Sequence, residues 1–238
     1  MSYVYEFFQF NGVNCLDFGV RVSGPGTFVK PQRSAETVAI PGRNGTLELD
    51  NKRYDNVTIT YSAFIVDRFD TNYEGFAAYM LSQKGYKRLE DTYHPDHFRL
   101  ARYTGGLAPE MTTRNREGIF EITFDCKPQF FLKEGERMRE LTSGQTILNP
   151  TLYDAKPIFK VYGTGTLTIG TVGITVTASA GYTILDCDAG EAYDGSGSRN
   201  QYIQNVNSYD YPTLKPGNNT ISWTGFSKVE LTPRWWTL

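Results

Sequence analysis

The chain has 238 residues, of which 39% are hydrophobic and 21% are charged, and its 24 Lys and Arg residues against 26 Asp and Glu residues leave a formal net charge of −2. A chain of this size can form one large or two ordinary domains. The near-neutral charge excludes a strongly basic nucleic-acid-binding surface over the chain as a whole, because such surfaces bind phosphates through Lys and Arg. No apolar run reaches the ~18 to 20 residues of a membrane helix, and the first residues lack the pattern of a signal peptide. We therefore expect a protein that folds in a cytoplasm and has no membrane partner.

The first part of the sequence is dominated by strand patterns. Asn11-Gly12 favours a two-residue hairpin turn, because both residues tolerate a positive φ. Apolar and polar residues alternate at 57–63 and again at 120–126, which predicts two half-buried strands.

One helix is predicted between these two strands. Thr71 and Glu74 have the spacing of a capping box, and Gly85 provides a stop signal. The apolar residues between them recur at helical spacing and predict one buried stripe, made of Tyr73, Phe76, Ala77 and Met80.

Charge density changes near residue 141. Residues 1–140 contain 18 Lys and Arg and 19 Asp and Glu, whereas residues 141–238 contain 6 and 7. We therefore predict a first domain of residues 1–140 and a second domain of residues 141–238. Short strands around Gly-rich turns, such as those at 167–176, predict an all-β sandwich or jelly roll in the second domain. The chain as a whole is expected to be mainly β.

The two histidines of the chain lie in the sequence His94-Pro95-Asp96-His97. A His-x-x-His pair with a carboxylate can bind zinc if a further ligand comes from elsewhere. Pro95 disfavours the helical geometry that would bring both rings to one face. We interpret the segment as a turn and predict no metal and no other cofactor. No nucleophile motif accompanies it, so we also predict no catalytic residues.

The three cysteines are Cys15, Cys126 and Cys187. Their odd number and wide separation fit neither a disulfide framework nor a metal-binding CxxC pair. We expect each to be a reduced, buried, structural residue.

All three tryptophans, Trp223, Trp235 and Trp236, lie in the last sixteen residues. We interpret them as a packing surface or a surface for a partner. An exposed tryptophan can also stack on a sugar ring, so a carbohydrate-binding adhesin that uses the second domain is an alternative. Adjacent residues on a strand point to opposite sides, so at most one of Trp235 and Trp236 can be such a platform. A glycan-degrading enzyme with a β-sandwich module is a further alternative.

Six short motifs occur in the order and spacing of a known protein family. They are Phe10-Asn11-Gly12 with Asp17-Phe18-Gly19, Pro41-Gly42-Arg43-Asn44-Gly45, Phe124-Asp125-Cys126-Lys127-Pro128, Asn149-Pro150, Leu214-Lys215-Pro216-Gly217-Asn218 and Pro233-Arg234-Trp235-Trp236. Each motif alone is short, but together they span the whole chain. On these motifs the chain resembles the distal tail proteins of long-tailed, non-contractile phages.

The resemblance implies a structural baseplate hub protein that is not an enzyme. In this family the N-terminal domain is a β-sandwich with one helix, and six copies of it form a ring. The C-terminal domain is a galectin-like β-sandwich that points outward. The implied partners are other copies of the chain in a homohexameric ring, the tail tube protein, the tail-associated fibre or lysin protein, and receptor-binding proteins. Genomic DNA would pass through the ring without specific binding. The implied location is the virion tail tip, after assembly in the host bacterial cytoplasm.

The loop of Pro41, Gly42, Arg43, Asn44 and Gly45 is our candidate for a protein-protein interface. Pro and Gly fix an exposed turn, and Arg43 can make forked hydrogen bonds to the carboxylate or carbonyl groups of a partner. A plain hairpin turn is the alternative interpretation.

Overall fold

The structure is a computed structural model that describes residues 6–24, 26, 28–177, 181–195, 203–205 and 211–238. The chain forms two compact units, the first made of residues 1–130 with Leu238 and the second of residues 131–237. The second unit thus begins before the predicted boundary at residue 140, because strand residues 139–141 pair inside it. The change in charge density near residue 141 lies within the second unit and does not mark its start.

The described residues of the first unit form strands and one α-helix. The strands are β1 (Phe8–Phe10), β2 (Val13–Asn14), β3 (Arg21–Ser23), β4 (Arg33–Ala39), β5 (Thr46–Tyr54), β6 (Val57–Ile65), β7 (Lys87–Asp91), β8 (His97–Tyr103), β9 (Glu110–Thr113) and β10 (Glu117–Leu132), which continues into the second unit. The helix is α1 (Phe69–Ser82), and a short 3-10 helix spans Cys15–Phe18.

One sheet holds most strands of the first unit, in the order β2-β1-β7-β8-β10-β6-β3. The two ends of this sheet approach each other, because Glu6 pairs with Val22 of β3 and the Val22 N–H donates to the Glu6 carbonyl at 3.0 Å. The sheet therefore curls over itself and encloses a core. The two layers of the first unit are the two halves of this one sheet.

Aromatic side chains fill the core between these halves. The Phe8 ring of β1 lies 5.2 Å from Tyr61 of β6 and 5.5 Å from Phe124 of β10, although neither strand is a neighbour of β1. Phe76 and Met80 of the predicted helix stripe are buried against the same cluster. Burial of large aromatic rings in offset and edge-on pairs stabilises the curled sheet.

The predicted start of the helix at Thr71 is wrong. The helix begins at Phe69, after Arg68 with a φ of 47°, and no side chain at this capping position makes a hydrogen bond. The Asn115 side chain instead accepts a hydrogen bond from the Asp70 N–H at 3.3 Å. The first turn is therefore capped from the turn between β9 and β10, and not by a residue of its own segment.

The predicted hairpin at Asn11-Gly12 is confirmed. Phe10 of β1 pairs with Val13 of β2, and the two turn residues have φ angles of 49° and 80°. Two positive φ angles give the turn the twist that antiparallel strands require.

The second unit contains strands throughout its described residues. They are β11 (Arg139–Leu141), β12 (Gln145–Asn149), β13 (Ile158–Tyr162), β14 (Gly165–Ile169), β15 (Val172–Val176), β16 (Tyr182–Asp186), β17 (Glu191–Asp194), β18 (Ile203–Asn205), β19 (Gly217–Thr224), β20 (Lys228–Thr232) and β21 (Trp236–Thr237). A short 3-10 helix spans Lys133–Glu136.

Two five-stranded sheets make up this unit, in the orders β11-β20-β13-β16-β17 and β12-β19-β14-β15-β18. Buried residues of both sheets form one core cluster, including Phe159, Val161 and Leu231 of the first sheet and Leu167 and Ile221 of the second. The predicted mainly β fold is confirmed. Within the described ranges, no helix is both long enough and apolar enough to cross a membrane.

Gly118 at the start of β10 tests the packing of the helix on the curled sheet. A Cβ atom at Gly118 would overlap the Phe69 ring, so Gly118→Ala should lower the free energy of unfolding by about 1 to 3 kcal/mol. Gly106→Ala is the matched control, because nothing lies within 4 Å of its added Cβ. Chemical denaturation of both variants measures the difference, and equal stabilities would contradict this packing.

Candidate functional site

The predicted interface loop lies at the tip of the hairpin formed by β4 and β5. All of residues 41–45 are exposed, and the Arg43 N–H donates to the Ile40 carbonyl at 3.1 Å. Gly42 and Gly45 have φ angles of 79° and 84°, in the region that favours glycine. The loop is a defined turn that presents Arg43 to solvent.

The hairpin has one face that is mainly apolar and open to solvent, with Glu36 opposite Leu49 as its charged residue. Val38 lies opposite Leu47 across the strands, Leu49 follows on the same side, and Ile40 occupies the next alternate position after Val38. These four residues, which we call the apolar hairpin face, are 38% to 48% exposed. A two-stranded sheet cannot cover such a face by itself, and exposed apolar patches mark interaction surfaces.

The base of the hairpin is fixed by an ion pair. The Arg33 guanidinium donates to both oxygens of the Asp50 carboxylate, with the Nε–Oδ1 distance at 3.1 Å. The Asp50 carboxylate also accepts from the Lys52 N–H at 2.9 Å. These donors lower the pKa of Asp50 to about 2. The pair holds the register of the two strands at the base, while residues 41–45 at the tip are exposed.

A groove on the first unit lies apart from the hairpin. It encloses about 670 Å³ and is lined by residues of β3, β6, β9 and β10 and of the segment before β9, namely Ser23, Ser62, Ala63, Phe64, Gly106, Ala108, Glu110, Ile119, Phe120, Glu121 and Thr123. Ile119 in the groove is 52% exposed, and the nearby Met111 of β9 is 53% exposed. No residue of the hairpin lines this groove. Sequence patterns could not reveal it, because its walls come from four separate segments.

The tryptophans of the second unit are packing residues in the structure. Trp235 is 1% exposed and belongs to the core cluster, and Trp223 packs partly buried against the same cluster. Trp236 stacks on Tyr153 at 4.5 Å between ring centroids and donates its Nε1–H to the Asp154 carbonyl at 3.0 Å. The ring faces of Trp235 and Trp236 are therefore used within the unit, which weakens the case for a sugar-stacking platform.

The two histidines belong to a turn that packs on Phe130. The Asp91 carboxylate accepts from the His94 N–H at 2.9 Å and from the Tyr61 hydroxyl at 2.6 Å. The His97 ring stacks on Phe130 at 4.5 Å, and the His94 ring meets the same ring edge-on at 5.1 Å. Of the residues that the structure describes, no group of three or more His, Cys, Asp and Glu could hold a metal ion.

Two cations complete the surroundings of Phe130. The guanidinium carbon of Arg99 lies 3.9 Å from the ring centroid, and the Lys30 Nζ atom lies 6.0 Å from it. Arg99 is only 5% exposed, and burial lowers its pKa. Cation-π contacts of this kind stabilise the packing around the Phe130 ring. The sequence alone does not predict this cluster, because Phe130 is distant in sequence from the turn that it contacts.

Comparison with solved structures gives matches over nearly the whole chain. The SPP1 Dit (gp 19.1) protein, described as a paradigm of the hub adsorption apparatus in phages that infect Gram-positive bacteria, matches with a TM-score of 0.74 and 14% identity, over 99% of this chain and 100% of that chain. The chain has the fold of a phage distal tail protein. The resemblance inferred from the sequence motifs is confirmed at the level of the fold.

Two further matches are chains from phage P2 baseplate structures in the activated conformation. The structure with Ca gives a TM-score of 0.57 and 11% identity over 96% of this chain and 97% of that chain. The structure with Sr gives a TM-score of 0.52 and 12% identity over 95% of this chain and 96% of that chain. No family model and no curated protein sequence matches the chain.

The turn on Phe130 makes the first unit sensitive to acid. Burial lowers the pKa of His97 below its ordinary value of 6.5, and the neighbouring His94 acts in the same direction. Asp96 opposes this effect, while Lys30 and Arg99 add smaller contributions that lower the pKa. As the pH falls, His97 therefore binds a proton at a higher pH in the unfolded chain than in the folded chain. The contribution of His97 to stability should be constant above about pH 7 and fall as the pH decreases below about 6.5.

Replacing His97 tests this dependence. In His97→Gln the loss of the free energy of unfolding between about pH 7 and pH 5.5 should be smaller than in the wild type, since the glutamine does not titrate. Urea denaturation at several pH values measures both slopes. Identical slopes in the two proteins would show that His97 does not cause the acid sensitivity.

The cysteines should react slowly in the native protein. All three are free and buried, and burial raises the pKa of Cys15 to about 11, that of Cys126 to about 12 and that of Cys187 further still. A disulfide-exchange reagent at pH 8 should therefore label the native protein slowly and titrate three thiols after denaturation without reductant. Fast native labelling, or fewer than three thiols, would contradict the prediction.

Proposed function

We propose that the protein is a structural hub of a phage tail tip, in which six copies form a ring. The ring would join the tail tube to the tail-associated fibre or lysin protein and to receptor-binding proteins. The observation that carries this proposal is the match in fold to the SPP1 hub protein over 99% of this chain and 100% of that chain. Because both units lie within the match, both are assigned to the same assembly.

The first unit is the part that closes the ring in this proposal. A closed ring of identical subunits requires two different surfaces on each copy, one of which binds the other on the next copy. The apolar hairpin face and the groove around Ile119 are two such surfaces on one unit. The second unit, with a galectin-like sandwich, would point outward and offer docking surface to receptor-binding proteins.

The hairpin and the groove are complementary in chemistry. Val38 and Leu47 would cover the exposed Ile119 and the apolar lining of the groove. Arg43 at the hairpin tip would reach the groove rim, where Glu110 and Glu121 supply carboxylates for forked hydrogen bonds. Apolar contact then supplies the affinity, and the charge pair sets the register of one copy on the next.

A hub of this kind needs no catalysis and no cofactor. The net charge of −2 suits a ring through which genomic DNA slides, because a strongly basic lumen would bind the phosphates and hold the DNA. The protein would be assembled in the host bacterial cytoplasm and would function at the virion tail tip.

Substitutions on the two faces of the hairpin test ring closure. The wild type should form particles of six 26.9 kDa chains, measured by light scattering during gel filtration. Leu47→Asp should raise the concentration needed for closure about tenfold or more, because a loss of 1.4 kcal/mol already changes an equilibrium tenfold. Arg43→Glu should weaken closure in the same direction, through repulsion at the groove rim.

Thr46→Asp is the matched control, because it places the same charge on the opposite face of the hairpin. It should leave the particle mass unchanged. A wild type that stays monomeric at high protein concentration, and that forms no ring when tail tubes are added as a template, would refute the ring. Even a weak ring would close under these two conditions. Equal effects of Leu47→Asp and Thr46→Asp would refute the apolar hairpin face as its interface.

A further inference from the structure

Strand β12 forms an open edge of the second unit. It pairs with β19 on one side and ends the order of its sheet on the other. Its five residues, Gln145 to Asn149, alternate between the exposed Thr146 and Leu148 and the buried Ile147 and Asn149. Leu148 is 62% exposed. Among the strands that the structure describes, β12 therefore has a partner on one side only, and it carries an exposed apolar side chain.

The other edge strands with described side chains in these two sheets carry charges. Strand β11 contains Arg139 and Glu140, and strand β17 contains Glu191 and Asp194. Charged edges prevent one sheet from pairing with another, whereas β12 contains no charged residue and no proline. Of the edges in this unit whose side chains the structure describes, β12 is the one that lacks this protection.

We propose that β12 of one copy pairs antiparallel with β12 of a second copy, centred on Ile147. Ile147 then lies opposite its own counterpart, Thr146 lies opposite Leu148 of the second copy, and Gln145 lies opposite Asn149. No like charges meet in this pairing. The same symmetric pairing of β11 would oppose two Glu140 residues, and that of β17 would oppose Glu191 and Asp194. The self-complementary sequence is what favours a second copy as the occupant.

The end of β12 is held in place for such a contact. The Asn149 side chain donates to the carbonyls of Tyr153 and Leu214 at 2.9 and 3.0 Å and accepts from the Thr151 N–H at 2.9 Å. Asn149 itself is 2% exposed. An ordered strand loses little conformational freedom on pairing, which lowers the cost of association.

A single β12 pair is weak on its own. Two five-residue strands cover much less than the ~800 Å² per partner of a stable interface. Pairing becomes strong when several copies are linked, because the second contact is then intramolecular. The β12 pairing does not require the proposed ring, but a ring would strengthen it by linking several β12 strands.

Cross-linking between full-chain variants that each carry one added cysteine tests both the contact and its register. Thr146→Cys protein and Leu148→Cys protein are mixed and treated with a short thiol-reactive cross-linker at pH 8. Cross-linked dimers should form at a severalfold higher yield in the mixture than in either variant alone, because residue 146 faces residue 148 of the second copy. The native cysteines are buried and give little background.

The matched control mixes Thr146→Cys with Leu81→Cys, whose position on the helix is 65% exposed. A test mixture that yields no more dimer than this control overturns the contact. A Leu148→Cys protein that cross-links with itself as well as it does in the mixture overturns the register. Repeating the measurement in the Leu47→Asp background separates the two proposals, since the pairing should persist there when the ring does not close.

Discussion

The edges of its β-sheets are the constraint on which this chain depends. An edge strand carries N–H and C=O groups that its own sheet does not use, and these must be covered or protected. The first unit meets the constraint by curling one sheet until Glu6 pairs with Val22. The aromatic contacts of Phe8 with Tyr61 and Phe124 hold the curl in place. The second unit has two separate sheets and cannot close in this way, so its edges rely on charge or remain open.

The hairpin of β4 and β5 is a two-stranded sheet, so both its edges and its faces need to be covered or protected. It stands outside the main sheet, so neither of its faces lies in the core of its unit. Its ion pair between Arg33 and Asp50 fixes the base, but Val38 and Leu47 near the tip remain 43% and 45% exposed. A segment that is ordered at its base and apolar at its free end is typical of a surface completed by another molecule. This is the physical reason to assign the hairpin to assembly.

Sequence reasoning succeeded where the determining residues are close together in the chain. Asn11 and Gly12 specify their turn locally, and the alternation at 120–126 specifies a strand. The start of the helix was missed because its cap comes from Asn115, 45 residues away from Asp70. The apolar hairpin face does have a sequence signal, since Val38 and Leu47 belong to alternating patterns on either side of a Pro-Gly turn. The groove has no local signal at all.

The two proposed contacts differ in symmetry, and this difference makes them compatible. Hairpin and groove are unlike surfaces, so their contact repeats by rotation until the ring closes. The β12 pair joins like surfaces and is satisfied after one partner. Residues 145–149 belong to the second unit and contribute to neither surface of the proposed ring contact. Because linked copies bind far more tightly than single ones, a closed ring would turn a weak strand pair into a strong one. In these two proposals, the unprotected edge at β12 pairs strongly mainly after the copies have been joined in the ring.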